Sequence, residues 1–509
     1  MNIVKRQFIL PPIINKILTL LTATGYEAYV VGGAVRDLLL GKTPGDFDVT
    51  TSARPQQVIE LLTGAGFSII GELGQNFGVV VARQAGQTVE IATFRGEAYG
   101  TDAHKPEQVW YCEDLRGDLS RRDFTVNAMA LDKLGNVYDY HGGQQDLEEQ
   151  VLRTVGDAET RYREDALRMY RACRFVAQLG FDYVQNGQQK PAFGQQGTPY
   201  YLPCSYSFPV ARSAGLSLER VRTELDKLLL SKHAGKGLML LLATGLASAS
   251  CRERVSGVDC EIAVLPELEH LAGLPQNQRF HCYPVWEHTL AAVDNSPRQL
   301  AVRWALLLHD VAKGLPGIRK LNQEGQPSDH GHEAESAVMA EAILTRLRYP
   351  SSFTKRVVWL VARHMRFAPM LVTGERMLLR WLRSEAAAGI FKDNAEMTNA
   401  FKQLVAVFLA DMGATHAGKN AELMAEGRAL GDAVVELARS KMPVHTKDLA
   451  INGQDVLTLL ADKTQIKFAM QYLLQRVQST SLPNEKAALS EAVKGWQKRH
   501  YQKEGNQDA

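Results

Sequence analysis

The sequence lacks the features that mark several classes of protein. Its six cysteines are scattered over 509 residues without a CxxC pair, so neither a disulfide framework nor a zinc finger is indicated. Reduced thiols are typical of the cytosol. No segment reaches the ~18 uninterrupted apolar residues of a membrane span. We therefore expect a cytoplasmic protein with no membrane partner.

The chain also lacks a large net charge, because its 58 lysines and arginines nearly balance its 56 aspartates and glutamates and leave a net charge of +2. A polyanionic partner must then be bound by local basic clusters, and arginines do cluster at 121–122 and 161–174. The chain is too long for one compact core and predicts about three or four domains.

The strongest local signals lie in residues 30–51, VVGGAVRDLLLGKTPGDFDVTT. A short buried strand ends at a glycine pair, a helix follows, and Gly41 ends that helix. Asp46 and Asp48 open a second strand, where a spacing of two places both carboxylates on one face. Their mutual repulsion is relieved by a divalent cation that prefers oxygen ligands, as Mg²⁺ does.

Three blocks along the first 180 residues occur in the order of a known family. They are GGAVRDLLLG followed by DFDVTT, RRDFTVNAMAL at 121–131, and EDALRMYRACRF at 164–175. The chain resembles the class II tRNA nucleotidyltransferases and bacterial poly(A) polymerases of the polymerase-β-like nucleotidyltransferase superfamily. The resemblance implies Mg²⁺ as a cofactor, and CTP, ATP and the 3′ end of tRNA as partners.

The resemblance also implies roles for individual residues. Asp46 and Asp48 would hold Mg²⁺ as catalytic carboxylates, and Glu90 matches the position of a third. A solvent-facing Glu90 on an alternating strand is the alternative, and Asp123 is a rival third carboxylate. The residues implied to bind nucleotide are Gly33, Arg36, Arg122, Asp165, Arg168, Arg171 and Arg174.

The segment 161–176 predicts one helix with a polar stripe on which Asp165 and Arg168 are neighbours. A carboxylate accepts hydrogen bonds and a guanidinium donates them. Cytosine and adenine both offer an amine beside an unprotonated ring nitrogen, so this pair can satisfy either base, whereas uracil and guanine leave it badly paired. The alternative is an ordinary helix salt bridge.

The pattern of the remaining head predicts helices at 13–24 and 54–62 and strands at 67–71, 77–83 and 87–93. Residues 95–120 lack periodicity and predict a long loop, which in the resembled family is a mobile element linked to the switch from C to A addition. Family members often carry a basic residue soon after the loop's aspartate, whereas Asp102 is followed here by Ala103 and His104. Residues 183–215 predict an irregular insertion.

A second set of candidate ligands begins after residue 281. ALLLHDVAKG and HGHEAES resemble the HD superfamily of helical metal-dependent phosphohydrolases, and imidazoles with carboxylates suit a transition metal such as Mn, Fe or Ni. In related nucleotidyltransferases this domain can also be a structural body. The implied ligands are His288, His309, Asp310, His332, His364 and Asp411.

Together these observations predict an α+β protein with a small mixed-sheet nucleotidyltransferase head at 10–155 and a helical neck with the base-recognition helix at 156–248. An HD domain at 262–415 and a helical, tRNA-binding tail at 420–500 follow. The expected function is template-independent addition of C and A to tRNA. The alternatives are a partial CC-adding or A-adding enzyme, a poly(A) polymerase, and an HD phosphohydrolase whose head only binds nucleotide.

Overall fold

The computed structural model describes residues 8–70, 78–100, 106–112, 114–185, 206–371, 375–479 and 482–504. The chain forms two compact units, Met1–Glu269 and His270–Ala509. The strands of the first unit are β1 (Ala28–Val31), β2 (Asp48–Thr51), β3 (Ser68–Ile69), β4 (Val79–Gln84), β5 (Gln87–Thr93), β6 (Arg95–Tyr99), β7 (Pro106–Tyr111), β8 (Met129–Leu131), β9 (Val137–Asp139), β10 (Val151–Leu152), β11 (Asp182–Tyr183), β12 (Ser250–Val255) and β13 (Val258–Ala263). Its helices are α1 (Pro12–Ala23), α2 (Gly33–Leu39), α3 (Pro55–Gly64), α4 (Leu115–Ser120), α5 (Gly143–Glu149), α6 (Ala158–Glu164), α7 (Leu167–Leu179), α8 (Leu218–Leu229) and α9 (Ala234–Ala243).

A seven-stranded mixed sheet forms the head, in the order β3-β4-β5-β2-β1-β8-β9. Strands β2 and β5 run parallel, and the other neighbours in this sheet are antiparallel. Val30, Val49 and Ile91 are fully buried along the central strands. Helix α1 contacts β1 and buries apolar side chains at helical spacing, namely Ile13, Ile14, Ile17, Leu18 and Leu21. The predicted mixed-sheet α+β head is confirmed.

The predicted long loop at 95–120 is wrong where the structure describes it. Strands β6 and β7 form an antiparallel hairpin, and α4 follows with Asp114 as its N-cap, whose carboxylate accepts the N–H of Gly117. The hairpin was missed because its strands are polar and only partly buried, so their alternation carries little apolar signal. Asp102, Ala103 and His104 lie outside the described residues.

The predicted continuous helix at 161–176 is also wrong, because α6 ends at Glu164 and α7 begins at Leu167. Asp165 between them is extended (φ −135°, ψ 101°), and its carboxylate accepts the N–H of Leu167 at 3.0 Å. A side chain that satisfies a free helix N–H competes with continued helix and starts a new one. The carboxylate is thereby fixed at a break between two helices.

Helices α7, α8 and α9 pack against one another. Gly237 permits the close approach of α9 to α7, since a Cβ there would lie 2.5 Å from the Cys173 carbonyl. Part of the expected insertion is packed: the Tyr206 ring lies 5.2 Å from that of Tyr183, and Phe208 lies 4.7 Å from Tyr162. Residues 186–205 of the insertion lie outside the described residues.

The second unit is mainly helical. Its elements are α10 (Val285–Asn295), α11 (Leu300–Leu308), the hairpin of β14 (Arg319–Leu321) and β15 (Pro327–Asp329), α12 (His332–Arg346), α13 (Ser351–Arg363), α14 (Glu375–Ala387), α15 (Asn394–Gly413), α16 (Ala421–Lys441), α17 (Gly453–Leu459), α18 (Ile466–Ser479) and α19 (Lys486–Glu504). Helices α10, α11 and α13 pack around the long α15, and α17 to α19 share a separate small apolar core.

Within the described part of the chain, no helix is both long enough and apolar enough to cross a membrane. The five described cysteines are all free thiols, as the scattered spacing predicts. Cys204 lies outside the described residues.

Candidate functional sites

Three carboxylates meet at one edge of the head sheet. Asp48 is the first residue of β2, and its Cα pairs with that of Glu90 on the parallel strand β5. Asp46 lies two residues before β2 starts, and all three residues are exposed. Asp48 also pairs with Val31, the last residue of β1, so the Gly32-Gly33 turn begins beside it. The register therefore brings the predicted catalytic carboxylates to the glycine turn.

The electrostatics of this edge favour a cation. Desolvation, followed by the charges of Asp46 and Glu90, raises the pKa of Asp48 to about 6, while Arg122 opposes the shift. A carboxylate whose pKa is raised by its neighbours lacks compensating positive charge. The donors are oxygen atoms in an open position, which suits Mg²⁺.

The glycine turn is fixed by two arginines. Gly32 has φ +75°, and a Cβ on it would lie 3.2 Å from Nη1 of Arg122. A Cβ on Gly33 would lie 3.4 Å from Nη2 of Arg36. Arg36 is buried and donates to Oδ1 of Asn127 at 2.7 Å. The small turn therefore holds backbone against two guanidinium groups.

Asp123, the rival third carboxylate, has another partner. Its Oδ2 accepts from Nε of Arg171 at 2.8 Å and from Nη2 of the same side chain, and Oδ1 accepts the N–H of Phe124. Although burial opposes the shift, Arg171 lowers the pKa of Asp123 to about 2. Asp123 thus anchors an arginine, and Glu90 is the carboxylate next to Asp48.

A cleft of about 520 Å³ brings together four of the predicted nucleotide-binding residues, Arg122, Asp165, Arg168 and Arg171. Sequence reasoning missed the rest of its lining, which includes Arg95, Glu97, Tyr99 and Arg121. A signal for three of these existed, because Arg-x-Glu-x-Tyr at 95–99 places three polar side chains on one face of a strand.

The missed residues hold the cleft together. Glu97 accepts from Arg95 and from Arg121, each at 3.0 Å, and from the Tyr99 hydroxyl at 2.6 Å. The Tyr99 ring lies 5.7 Å from the guanidinium of Arg168. The β6–β7 hairpin therefore forms one wall of the space in which Arg168 lies.

Arg168 is held in a way that the sequence did not predict. Its Nη1 donates to Oε2 of Glu164 at 2.9 Å, and its Nη2 donates to the Arg121 carbonyl at 2.8 Å. The expected neighbour relation of Asp165 and Arg168 on one helix stripe is wrong, because the helix breaks at Asp165. Both side chains nevertheless face the same cleft.

Arg174 lies apart from the cleft lining. Its Nε pairs with Glu224 at 2.6 Å, and its guanidinium lies 3.9 Å from the Phe175 ring. Arg171 and Arg36 also approach that ring, at 5.3 and 5.5 Å. Three predicted nucleotide-binding arginines therefore surround one phenylalanine.

The six candidate ligands of the second unit converge, although they come from five different parts of its sequence. Among the described residues, two groups have donor atoms within 4.8 Å of one another: His288, His309 and Asp411, and Asp310, His332 and His364. His288 Nε2 lies 2.9 Å from Asp411, and His332 Nε2 lies 3.0 Å from Asp310.

Backbone carbonyls fix the orientation of these histidines. Nδ1 of His309, His332 and His364 lies 2.7 Å from the carbonyl oxygens of Leu306, Asp329 and Val361, and His288 contacts that of Ala414 at 3.3 Å. A carbonyl only accepts, so Nδ1 carries the proton and Nε2 of the neutral ring offers a lone pair. Such outer partners are typical of metal-ligating histidines.

The inner atoms have few hydrogen bonds of their own. Nε2 of His288 and of His309 and both carboxylate oxygens of Asp310 are buried without a well-formed hydrogen bond. The Nε2 atoms of His332 and His364 lie 3.3 Å apart, where two lone pairs repel each other. Burial, followed by the neighbouring His309 side chain, lowers the pKa of His364 to about 3. Neutral imidazoles with buried carboxylates fit a divalent metal.

Three family models match parts of the chain. The family model of the poly A polymerase head domain matches residues 28–153, and that of the HD domain matches residues 280–407. A third, described as "Probable RNA and SrmB- binding site of polymerase A", matches residues 214–251.

Similar relatives include the CCA-adding enzymes of Geobacillus stearothermophilus, 37% identical over 64% of this chain and 67% of that protein, and of Lactiplantibacillus plantarum, 35% identical over 61% and 71%. The match to the enzyme of Geobacillus thermodenitrificans, at 41% identity, covers 46% of this chain and about half, 52%, of that protein.

Among solved structures, the Bacillus stearothermophilus CCA-adding enzyme in complex with CTP is similar over 98% of this chain and 100% of that one, with a TM-score of 0.60 and 26% identity. The relatives from Geobacillus stearothermophilus and Lactiplantibacillus plantarum exceed 30% identity over two thirds of their length or more, and the blocks at 30–51, 121–131 and 164–175 lie at the sites described above. The chain therefore belongs to the family of CCA-adding enzymes, as a member that carries a poly A polymerase head domain and an HD domain.

Proposed function

We propose that this protein adds C and A from CTP and ATP to the 3′ end of tRNA without a nucleic-acid template, releasing pyrophosphate. The observation that carries the proposal is the meeting of Asp48, Glu90 and Asp46 at the glycine turn, on the same head as the arginine-lined cleft. The names of the relatives support it. We propose that the reaction takes place in the cytoplasm. We also propose that the chain divides into a head at 10–155, a neck at 156–248, an HD domain at 262–415 and a tRNA-binding tail at 420–500.

The carboxylates Asp46, Asp48 and Glu90 would hold Mg²⁺. When bound, that ion supplies Lewis-acid activation of the attacking hydroxyl and neutralises charge on the phosphates. Arg122 and Arg171 line the cleft with donors that match phosphate oxygens. Asp123 holds Arg171 in place, so the guanidinium is preorganised before nucleotide binds.

Asp165 and Arg168 would select the base. Each is fixed by a contact of its own: Asp165 accepts the Leu167 N–H, and Arg168 donates to Glu164 and to the Arg121 carbonyl. A fixed acceptor and a fixed donor that line the same cleft satisfy cytosine or adenine and leave groups unpaired with uracil or guanine. Selectivity can thus reside in the protein.

The test is incorporation of labelled CTP and ATP, alone and together, into tRNA transcripts ending at the discriminator base, at C or at CC. We expect two C and then one A, and no incorporation by Asp46→Ala or Asp48→Ala. Asp259→Ala is a matched control, because this exposed aspartate lies on β13, in a two-stranded sheet separate from the head sheet. Addition of C only, or of A only, would indicate a partial enzyme, and long A tracts on unrelated RNA would indicate a poly(A) polymerase.

A second function is favoured by the six converging donors of the second unit. We propose that this site binds a transition metal and hydrolyses 2′,3′-cyclic or terminal phosphates. Lys313 lies 2.8 Å from Asp310 and opens into the same pocket, where it can neutralise phosphate. In the test, His332→Ala should abolish both the opening of a 2′,3′-cyclic phosphate to its monoester and the release of phosphate from a terminal phosphate, and it should leave incorporation of CTP intact. If the unmodified protein hydrolysed these phosphates but incorporated no CTP into tRNA, the head would be only a nucleotide-binding module.

A further inference from the structure

One buried phenylalanine in the first unit is shared by three of the arginines assigned to nucleotide binding. The ring centroid of Phe175 lies 3.9 Å from the guanidinium carbon of Arg174, 5.3 Å from that of Arg171 and 5.5 Å from that of Arg36. A guanidinium within about 6 Å of a ring centroid is attracted by the electron density of the ring face, and more strongly where water is excluded. Phe175 is only 5% exposed, so all three attractions act in a largely dry environment.

Each of these arginines also has a polar anchor of its own. The anchors are Asn127 for Arg36, Asp123 for Arg171 and Glu224 for Arg174. Every anchor fixes a guanidinium to a different part of the first unit. The Phe175 ring is a contact that all three guanidinium groups have in common, and it therefore sets their positions relative to one another.

The ring connects the two parts of the head site. Arg36 lies at the glycine turn, where a Cβ on Gly33 would approach its Nη2 to 3.4 Å, and Arg171 lines the cleft. Both guanidinium groups meet the Phe175 ring. The ring is itself held in place, because the fully buried ring of Phe124 packs edge-on against it with centroids 5.5 Å apart.

The electrostatics explain why a ring is useful here. Burial lowers the pKa of Arg174, Glu224 opposes the shift, and the charges of Arg171 and Arg36 lower the pKa further. The three guanidinium groups therefore repel one another. A further carboxylate would relieve this repulsion and would also compete with phosphate for the arginines. An aromatic face attracts cations without adding a negative charge, so the arginines keep their affinity for phosphate oxygens.

We propose that Phe175 is a positioning residue for nucleotide transfer, whose ring holds the guanidinium groups of Arg36, Arg171 and Arg174 together as one cationic surface for the phosphates of the incoming nucleotide. The inference rests on the nucleotide addition proposed above and assigns a role to a side chain that acts only through the arginines. CTP and ATP carry the same phosphates, so Phe175 affects both nucleotides equally and leaves the choice of base unchanged.

Ring fluorination separates the electronic role of Phe175 from its packing. Phenylalanines that carry one, two or three ring fluorines keep nearly the same shape, while each fluorine withdraws electron density from the ring face. Introduced at position 175 by stop-codon suppression, they should raise the KM for CTP and for ATP in steps, to about tenfold with three fluorines, with kcat and the unfolding temperature little changed. Phe175→Leu, which is apolar but has no ring, should raise both KM values at least as much.

The matched control is the same fluorinated series at Phe391 in the second unit. This ring is also buried, and it lies 5.8 Å from the guanidinium of Arg356. Fluorination there should leave both KM values unchanged. Equal KM values for every fluorinated residue at position 175, or a rise for only one of the two nucleotides, would overturn the positioning role of Phe175.

Calorimetric binding of a non-hydrolysable CTP analogue gives a readout that does not need turnover. A Kd that rises with the number of fluorines at position 175 supports the positioning role even if the unmodified protein adds no nucleotide to tRNA, a result that would reject the proposed nucleotide addition alone. A Kd that stays constant across the series rejects the positioning role, whether or not nucleotide is added.

Discussion

The buried carboxylate Asp118 offers a direct test of how the arginines of the head are positioned. Its side chain is fully buried. Oδ1 accepts from Arg121 at 2.8 Å and Oδ2 accepts from Arg122 at 3.3 Å. Oδ2 also accepts from the Thr50 hydroxyl at 3.1 Å. One carboxylate therefore anchors both arginines of the RRD block.

Asp118→Asn keeps the shape and removes the charge, and its amide NH₂ would face guanidinium donors. Breaking a buried ion pair at one partner costs about 3–5 kcal/mol. Because both arginine side chains remain 17–18% exposed, we expect a loss of unfolding free energy at the lower end of this range, about 3 kcal/mol. At roughly 2 °C per kcal/mol for a unit of this size, the unfolding temperature of the first unit should fall by about 6 °C, and the KM for CTP should rise as Arg122 loses its anchor.

The pH dependence has a defined sign. Although burial opposes it, Arg121 and Arg122 lower the pKa of Asp118 in the folded protein. Its contribution is therefore fully present above the unfolded pKa of about 3.9 and is lost as the pH falls through the folded pKa. The difference in stability between the two proteins should be constant from pH 5 to 8 and should shrink only in acid.

The control is Glu159→Ala, which removes an exposed i,i+4 pair with Arg163 whose side chains are 58% and 60% exposed. Pairs of this kind contribute under about 1 kcal/mol. Thermal unfolding followed by circular dichroism compares the variants. If Asp118→Asn were no less stable than Glu159→Ala, the assignment of Asp118 as the anchor would be refuted.

Three further predictions follow from the two sites. Desolvation and the neighbouring carboxylates raise the pKa of Asp48 in the folded protein. The ionised Asp48 side chain therefore lowers the free energy of unfolding above its folded-state pKa, and this penalty vanishes below its unfolded-state pKa. In EDTA, Asp48→Asn should unfold at a higher temperature than the unmodified protein at pH 8 and at the same temperature at pH 3, and added Mg²⁺ should stabilise only the unmodified protein; equal melting curves at pH 8 would contradict this. Arg168→Ala, which removes the donor held by Glu164, should lower the preference for CTP over UTP at least tenfold in incorporation assays, whereas exposed Arg163→Ala should leave it unchanged. His364→Ala should bind less transition metal, as measured by elemental analysis, and should keep CTP incorporation within about twofold of the unmodified protein. A larger loss of CTP incorporation would show that the metal site and the head site depend on each other.

Much of the head followed from local sequence, because its signals are short-range. The apolar alternation in TVEIATF predicts a strand at 87–93, and β5 has those bounds. Helix α1 lies within one residue of its predicted range. Spacing also indicated Asp46 and Asp48 as a carboxylate pair, whereas the ligand set of the second site came from the resemblance of ALLLHDVAKG and HGHEAES to the HD superfamily.

Only the tertiary structure decided which of these groups meet. The parallel register of β2 and β5 puts Glu90 beside Asp48, whereas Asp123, equally plausible in sequence, pairs with Arg171 from α7. The β6–β7 hairpin is polar and partly buried, so its existence depends on packing rather than on a hydrophobic pattern. Six HD donors spread from 288 to 411 become one cluster because helices from distant parts of the chain pack around α15, a long-range outcome that no local pattern encodes.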